Sequence, residues 1–217
     1  MRSYWLWTRD LRIEFRSPVG TLAVVSFLAV VILILGLALG PDPASLQAAA
    51  PGALWLALAF AGSLLGQRVW SLEVENQTLD ELFLSPGGLE WIYWGKLAFT
   101  SGLVIAVGIL ALFLLQLAFS FSPYPLIPHL VTLFLGGLGY SIVATFLGAI
   151  TARVRAGEIL LPLLLFPLVV PVILGSVRAS SAIATGSADY TTWWGLLVVF
   201  DAIYLAGCTL IFPWMQR

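Results

Sequence analysis

Residues Gln67–Pro86 read QRVWSLEVENQTLDELFLSP and form the only long charged interlude in a chain that is otherwise mostly hydrocarbon. Within it, residues 78–81 (TLDE) have the form of a capping box. In this motif the Thr78 hydroxyl accepts a hydrogen bond from the Glu81 backbone N–H, and the Glu81 carboxylate accepts one from the Thr78 N–H. Pro86 disfavours helical geometry at Ser85. The pattern therefore predicts a short helix that begins at Thr78 and ends after about two turns.

The predicted helix is amphipathic, with an apolar side made of Leu79, Leu82 and Phe83. A short amphipathic helix beside a membrane buries such a side either under its own bundle or in a groove on another protein. The carboxylates of this stretch suit a solvated face, helix-cap positions or a positive surface on a partner. They are Glu73, Glu75, Asp80 and Glu81.

The rest of the chain is typical of an integral membrane protein. Of 217 residues, 60% are hydrophobic and 10% are charged, with a mean hydropathy of +1.01. Ten Lys and Arg nearly balance eleven Asp and Glu, which gives no reason to expect a nucleic-acid partner. We predict six membrane-spanning helices, each near the roughly 20 apolar residues that cross about 30 Å of hydrocarbon. They cover approximately residues 21–39, 52–69, 97–119, 130–152, 159–177 and 193–215.

The N-terminal segment has a helical pattern of its own. Its large apolar residues recur at spacings of three and four: Tyr4, Trp7, Leu11 and Phe15. The pattern predicts an amphipathic helix over residues 3–17 that lies in the headgroup plane as an elbow. Every polar stretch of the chain is too short to bury a separate core, so we expect one transmembrane domain over residues 1–217.

Basic residues are distributed unevenly between the two sides of the predicted bundle. Nine of the ten lie before the first span, after the sixth, or in or next to the connections that follow the second and fourth spans. The opposite connections, residues 40–51, 120–129 and 178–192, contain only Arg178. Because basic loops remain in the cytoplasm, we expect cytoplasmic termini and a cytoplasmic helix at Thr78.

Two predicted spans have compositions that affect packing. The fifth contains Pro162, Pro167 and Pro171, so we expect a kinked helix whose freed carbonyls are satisfied by neighbouring helices or water. The fourth contains small residues that let helices approach closely. These are Gly136, Gly137, Gly139, Ala144, Gly148 and Ala149. A compact bundle with no further role is the simpler interpretation of both compositions.

Catalytic and cofactor motifs are absent from the sequence. There is no Gly-x-x-x-x-Gly-Lys-Ser/Thr loop, so the chain cannot hydrolyse ATP through a P-loop of its own. Its single histidine excludes paired-histidine ligation of metal or haem within the chain. His129, at the outer mouth of the fourth span, could supply one axial haem ligand, although an interfacial histidine is more often a polar tip at the headgroup level. We predict a non-catalytic protein with no directly bound cofactor.

Asp201 is the one acidic residue predicted near the middle of a span. An ionised carboxylate there costs roughly 2.5–3.5 kcal/mol, so we expect a protonated, hydrogen-bonded or cavity-facing side chain. One interpretation is a relay or the polar lining of a substrate path. The other is a neutral acid bonded to a neighbouring helix.

Several motifs are similar to those of transporter subunits. The run Glu73-x-Glu75-x-x-Thr78-Leu79-x-x-Leu82-x-x-Ser85-Pro86 resembles the coupling segment of ABC-2-type permeases. More closely, the chain resembles the CcmB family, the haem-exporter-type permeases of cytochrome c maturation. The order of its motifs carries this resemblance: Arg9-Asp10-Leu11-Arg12, Gly40-Pro41-Asp42-Pro43 with residues 50–55 (APGALW), the run from Leu79 to Pro86, Lys96, and residues 161–175 (LPLLLFPLVVPVILG).

The resemblance implies an all-α, ABC-2-type (type V exporter-like) fold with six transmembrane helices, an N-terminal elbow helix and a cytoplasmic coupling helix. It also implies that the coupling segment contacts a separate ATPase subunit. The residues at this interface would be Glu73, Glu75, Thr78, Leu79, Asp80, Glu81, Leu82, Phe83, Ser85 and Pro86.

Partners follow from the same resemblance. They are a CcmA-type ATPase that holds ATP, a CcmC-type haem-handling subunit, a small CcmD-type subunit and the haem chaperone CcmE, at the bacterial inner membrane and its lipid bilayer. In that family, ATP hydrolysis is coupled to release of the haem-loaded chaperone from the CcmC subunit. The tryptophan-rich haem motif of CcmC is absent here, so haem is expected on partner subunits.

Two other functions remain open on the residues alone. An ABC-2 permease for a lipid, drug or glycan would share the same coupling segment. A membrane scaffold or channel would have no ATPase partner. A homodimer is compatible with each function.

Overall fold

The computed structural model describes residues 2–16, 19–75, 90–152, 154 and 157–216, and its regular structure there is helical. The described residues form seven α-helices followed by one 3₁₀ helix. The α-helices are α1 (Arg2–Arg16), α2 (Val19–Leu39), α3 (Pro43–Glu75), α4 (Glu90–Phe119), α5 (Leu126–Thr151), α6 (Gly157–Ala184) and α7 (Tyr190–Ile211), and the 3₁₀ helix is Phe212–Gln216.

Six stretches within these helices are long and apolar enough to cross a membrane. They are Gly20–Leu39, Pro43–Ser71, Glu90–Phe119, Leu126–Thr151, Ile159–Ala184 and Tyr190–Trp214. The prediction of an all-α, six-span fold is thereby confirmed, and the chain is a multi-pass membrane protein. The predicted helix that begins at Thr78 lies outside the described residues, and the headgroup-plane position of α1 stays a prediction.

Three connections are shorter than the sequence indicated, and the one predicted over residues 120–129 ends at residue 125, because α5 begins at Leu126. Helix α3 begins at Pro43, because the Asp42 carboxylate accepts a hydrogen bond from the Ser45 backbone N–H at 3.0 Å and caps the new helix. Helix α2 ends just before Gly40, whose φ of 78° allows the sharp turn between them. Helix α6 continues past Arg178 to Ala184, so the predicted connection over residues 178–192 was wrong in its bounds.

Helices α3 and α5 lie at the centre of the bundle. In each, 67% of the most apolar window is buried, against 17% in α2 and 22% in α7. The prediction that α5 allows close approach is confirmed at three glycines. An added Cβ would lie 2.2 Å from Ser176 Oγ at Gly136, 2.1 Å from Asp201 Oδ1 at Gly139, and 2.9 Å from the Gly66 carbonyl oxygen at Gly148.

Helix α6 is continuous through its three prolines, Pro162, Pro167 and Pro171. The Tyr204 hydroxyl of α7 donates a hydrogen bond of 2.6 Å to the carbonyl oxygen of Leu168, in the turn before Pro171. A neighbouring helix thus supplies a donor beside one proline, as expected for membrane helices. The predicted kink remains a prediction.

The bundle has two ends that differ in composition. At the basic end, α3 and α5 finish, α4 and α6 begin, and α1 lies against α4. At the opposite end lie the connections over residues 40–42, 120–125 and 185–189. The basic end holds the buried charges described next.

Candidate functional site

Helix α1 is attached to the basic end by its apolar side. Trp7 and Leu11, one turn apart, are partly buried against an apolar group of α3, α4 and the 3₁₀ helix. That group includes Val69, Trp70, Ile92, Tyr93 and Phe212. The packing places the polar residues Arg9 and Asp10 beside the ends of α3 and α4.

Four charged side chains meet there and form what we call the buried charge cluster: Arg9 and Asp10 of α1, Glu73 of α3 and Lys96 of α4. The Lys96 Nζ atom lies 2.8 Å from Glu73 Oε1 and 2.9 Å from Asp10 Oδ2. Arg9 Nη2 lies 2.9 Å from Asp10 Oδ1 and also donates to Glu73 Oε1. Both carboxylates therefore face both cations.

The cluster is neutral as a group and largely removed from solvent. Lys96 is 1% exposed, Glu73 3% and Asp10 5%, whereas the Arg9 side chain keeps a third of its surface. Buried ions are tolerated only when their charges are matched, and removing one partner from a buried pair typically costs about 3–5 kcal/mol. Separating α1 from α3 and α4 would therefore leave buried charges without partners.

Lys96 has polar and aromatic contacts beyond the two carboxylates. Its Nζ donates to the backbone carbonyl of Val69 at 3.2 Å and lies 5.7 Å from the centre of the Trp70 ring. An ammonium group has three N–H donors, and three oxygen atoms lie within reach of this one. The nearby aromatic face adds cation–π attraction. This environment explains how a lysine is accommodated among apolar side chains.

The charge state of Arg9 follows from the same contacts. Burial lowers the pKa of the guanidinium, but the Asp10 and Glu73 carboxylates more than offset that effect and raise the pKa above its usual range. Arg9 therefore remains a cation at every physiological pH.

A second ion pair attaches α1 to α3 at a position on α3 that precedes Glu73 in the chain. Arg68 Nε lies 3.3 Å from Glu14 Oε2, and the Thr21 hydroxyl also donates to the Glu14 carboxylate. The Arg68 side chain crosses the backbone of Gly20 so closely that an added Cβ would lie 1.5 Å from Nη1. Together with the cluster, this pair joins α1 to α3 at two points.

Aromatic side chains connect the cluster to the central helix α5. The Trp70 indole donates to the Thr145 carbonyl at 3.0 Å, and the Tyr93 hydroxyl donates to the Ile142 carbonyl at 3.0 Å. Both rings also pack against Phe212. The cluster and the centre of the bundle therefore form one continuous set of contacts.

The predicted coupling residues have different outcomes. The expectation that Glu73 belongs to a solvated face was wrong, because the side chain is 3% exposed and bonded to Arg9 and Lys96. Glu75 is the last residue of α3. The other predicted positions lie outside the described residues: Thr78, Leu79, Asp80, Glu81, Leu82, Phe83, Ser85 and Pro86. Their contact with an ATPase stays a prediction.

His129 is not an exposed polar tip. It is 3% exposed, its ring packs edge-on against Phe121 at 5.7 Å, and Nδ1 lies 3.1 Å from the Pro125 carbonyl oxygen. These contacts give it a structural role at the opposite end of the bundle. The alternative that it supplies an axial haem ligand stays open.

Asp201 is buried as predicted, with 7% of its surface exposed, and lies against Gly139 of α5. Within the described part of the chain, neither carboxylate oxygen has a hydrogen-bond partner. The interpretation of an acid hydrogen-bonded to a neighbouring helix is therefore not supported for these residues.

Sequence reasoning missed the pairing of Arg9, Asp10 and Lys96. One signal was present, because Lys96 is the only lysine and lies near the start of an apolar helix. A charged residue in that position requires an opposite charge, and its own helix offers only Glu90. The lysine therefore indicated a carboxylate from another helix, but its position alone does not single out Glu73 and Asp10 among eleven acidic residues.

Comparison with known proteins gives consistent matches over nearly the whole chain. A family model described as "CcmB protein" matches residues 1–214. A curated relative named "Heme exporter protein B", from Paracoccus denitrificans, is 32% identical over 206 residues, which cover 93% of this chain and 91% of the relative. A protein of the same name from Rhodobacter capsulatus is 34% identical over 175 residues, which cover 78% of each chain. Another, from Pseudomonas aeruginosa, is 30% identical over 181 residues, which cover 81% of this chain and 80% of the relative.

Proposed function

The chain belongs to the CcmB family, and from that premise we propose that it is the permease subunit that couples ATP hydrolysis on a separate ATPase to haem export in cytochrome c maturation. It is a non-catalytic subunit of the bacterial inner membrane, with both termini and the basic end in the cytoplasm. One observation carries the coupling role: the buried charge cluster joins α1, α3 and α4 on both sides of residues 76–89.

The position of the cluster supports this role. Glu73 lies near the end of α3 at Glu75, and Lys96 lies in the second turn of α4, which begins at Glu90. A force applied to residues 76–89 by a partner would therefore reach a junction at which three helices are joined. They would move together, because separating the cluster would leave unpaired buried charges.

A route from this junction to the membrane interior is also available. Trp70 contacts both Lys96 of the cluster and the backbone of α5, and Tyr93 of α4 contacts the backbone of α5. An ATPase that binds differently in its two nucleotide states would shift the equilibrium between two arrangements of these helices. The result at the opposite end of α5 would be release of the haem-loaded chaperone from the haem-handling subunit.

The proposed partners divide the chemistry among separate chains. ATP is bound by a CcmA-type subunit, since this chain has no P-loop. Haem is held by a CcmC-type subunit and the chaperone CcmE, with a small CcmD-type subunit in the same complex. This chain supplies the docking helix, in which Leu79, Leu82 and Phe83 enter a groove on the ATPase. Glu75, Asp80 and Glu81 form the rim of that contact.

Co-purification tests the docking helix. The Leu82→Arg variant places an unpaired charge in the proposed apolar contact, so the ATPase should be lost from the complex purified in mild detergent. Val154→Arg is the matched control, because Val154 is half-exposed near the same end and lies outside the docking helix. A Leu82→Arg complex that keeps its ATPase and its activity would contradict the docking role.

A separate assay tests the link to haem. Cells that lack the chain should fail to attach haem to their c-type cytochromes, and the Lys96→Met variant should restore attachment less well than the wild-type chain. Normal haem attachment in the deletion strain would contradict the proposed role in cytochrome c maturation.

A further inference from the structure

Asp201 occupies the middle of α7 at a junction with α5 and α6. An added Cβ on Gly139 of α5 would lie 2.1 Å from Asp201 Oδ1 and 3.2 Å from the Val172 side chain of α6. A carbon–carbon bond is about 1.5 Å long, so Oδ1 lies within about 3.6 Å of the Gly139 Cα atom. This is the range of a weak Cα–H···O contact, which does not replace a full hydrogen bond.

Ser176 of α6 approaches the same strip of α5. Its side chain is fully buried, and an added Cβ on Gly136 would lie 2.2 Å from Ser176 Oγ. Gly136 and Gly139 are three residues apart, so their Cβ positions lie on one helix face about 5–6 Å from each other. The oxygen atoms of Asp201 and Ser176 therefore face neighbouring positions on that strip.

These oxygen atoms share a lack of protein partners. In the residues that the structure describes, Asp201 Oδ1, Asp201 Oδ2 and Ser176 Oγ are buried without a hydrogen bond. Nearby donors are already used, since the Trp55 indole donates to Ser180 at 3.0 Å and the Tyr204 hydroxyl donates to Leu168. Buried polar oxygens in folded proteins are usually satisfied, by water where protein groups are absent.

Among the residues that the structure describes, no opposite charge is placed to hold Asp201 as an ion. The ionic side chains of the helices packed against α7 are His129 of α5 and Arg178 and Glu158 of α6, and each lies toward one end of its helix, whereas Asp201 is central in α7. The nearer titratable groups are uncharged hydroxyls that are already bonded, Tyr140 to the Ala59 carbonyl and Tyr204 to the Leu168 carbonyl. An unpaired carboxylate in the middle of a membrane is strongly disfavoured, and the neutral acid is the stable form.

We propose that Asp201 is protonated in the membrane and, together with Ser176, binds a water molecule at the junction of α5, α6 and α7. A protonated carboxyl group has one donor and further acceptors, and a hydroxyl group has both. Together they offer about three hydrogen bonds, the number that a buried water typically makes. A divalent cation is excluded as the ligand, because Ca²⁺ or Mg²⁺ requires about six oxygen atoms. This inference does not depend on the proposed ATPase coupling.

Infrared spectroscopy of the purified complex in lipid tests the proposal. The wild-type chain at neutral pH should show the carbonyl stretch of a protonated carboxylic acid, and Asp201→Asn should lose that band. Ser176→Ala should shift the band to higher frequency, because the shared water loses a partner. Replacing water by its ¹⁸O form should shift the O–H stretch of the bound water in the wild-type chain and not in Asp201→Asn.

Ser180→Ala is the matched control, since Ser180 is buried on the same helix and is bonded to Trp55. It should leave the Asp201 band unchanged. Absence of the protonated band at neutral pH would overturn the assignment of a neutral acid. A carboxylic acid band that Ser176→Ala leaves in place, together with no isotope-sensitive O–H stretch that depends on Asp201, would overturn the shared water.

Discussion

Buried carboxylates occur at two places in this protein, and they are accommodated in opposite ways. In the charge cluster, Glu73 and Asp10 are 3% and 5% exposed, and each faces two cations. At the α5–α6–α7 junction, Asp201 is 7% exposed and faces glycine and apolar side chains. Burial alone therefore does not determine the charge of an acid, because the position and identity of its neighbours decide it.

The difference follows position along the helices. The cluster lies where α3 ends and α4 begins, and the Arg9 side chain keeps a third of its surface, so part of the hydration is retained. Asp201 lies far from either end of α7, where retained hydration is not available to an ion. The acids at the basic end keep their charge because they are paired with cations. In the middle of α7, we infer that protonation removes the charge of Asp201.

The largest expected effect is that of Lys96→Met. The substitution keeps the length of the side chain but leaves Asp10 and Glu73 with Arg9 alone, so it should destabilise the chain by about 3–5 kcal/mol. Thermal unfolding in detergent measures this loss. Arg12→Met is the control, because Arg12 is exposed on α1 and should change stability by less than about 0.5 kcal/mol.

The double variant Asp10→Asn with Lys96→Met gives a sharper test of pairing. Removing a carboxylate together with the lysine should recover part of the loss, since fewer unpaired charges remain. Equal thermal stability of Lys96→Met and the double variant would mean that Lys96 contributes through packing alone.

An intermediate effect is expected for Glu73→Gln. The amide keeps the shape and can still accept a hydrogen bond, but it loses the charge, so a cost of about 1–3 kcal/mol is expected. Glu90→Gln, at an exposed glutamate of α4, should be nearly neutral in the same unfolding assay. A Glu73→Gln variant as stable as the control would show that Asp10 alone balances the cluster.

A smaller effect is expected for Asp201→Asn. If the acid is already neutral, the amide replaces it without removing a charge, and the change in stability should be about 1 kcal/mol or less. Thermal unfolding of Asp201→Asn and Glu73→Gln under the same conditions compares the two stability losses directly. A loss as large as that of Glu73→Gln would mean that Asp201 carries a charge and has a partner.

The smallest effect concerns Asp42, an exposed carboxylate that serves as a reference for both buried sites. Hydrogen bonds from the Ser45 side chain and backbone lower its pKa below the usual range. The interaction is therefore present above the ordinary pKa of an aspartate and is lost as the pH falls through the lowered value. Ser45→Ala should raise the pKa of Asp42 toward the ordinary value, as NMR titration of the labelled carboxyl carbon would show.

The spans were predictable because their signal is local composition, but the helix ends were not. The start of α3 at Pro43 was not predicted, because the small and polar residues there carry no hydropathy signal, even though Asp42 caps the helix. The continuation of α6 past Arg178 was not predicted either, because a long, exposed side chain interrupts a hydropathy pattern without interrupting the helix.

The site was less predictable than the fold, since its contacts join distant parts of the sequence. Glu73 was grouped with its acidic neighbours on a solvated face, but its position depends on Arg9, 64 residues away, and on Lys96. Close approach at Gly139 was indicated by small residues, whereas the identity of the group that enters, Asp201, depends on how α7 packs. Local pattern determines which surfaces can meet, and packing determines which residues do.

The length of α3 has a consequence for the lipid around the protein. Its apolar stretch, Pro43–Ser71, has 29 residues and corresponds to a rod of about 44 Å, longer than about 30 Å of hydrocarbon. Free helices accommodate such hydrophobic mismatch by tilting, but α3 packs against α2, α4, α5 and α6, which fix its angle. A change in bilayer thickness would therefore be absorbed by the sparsely covered outer helices α2 and α7, and the inner rod would keep its inclination in thin and thick membranes alike.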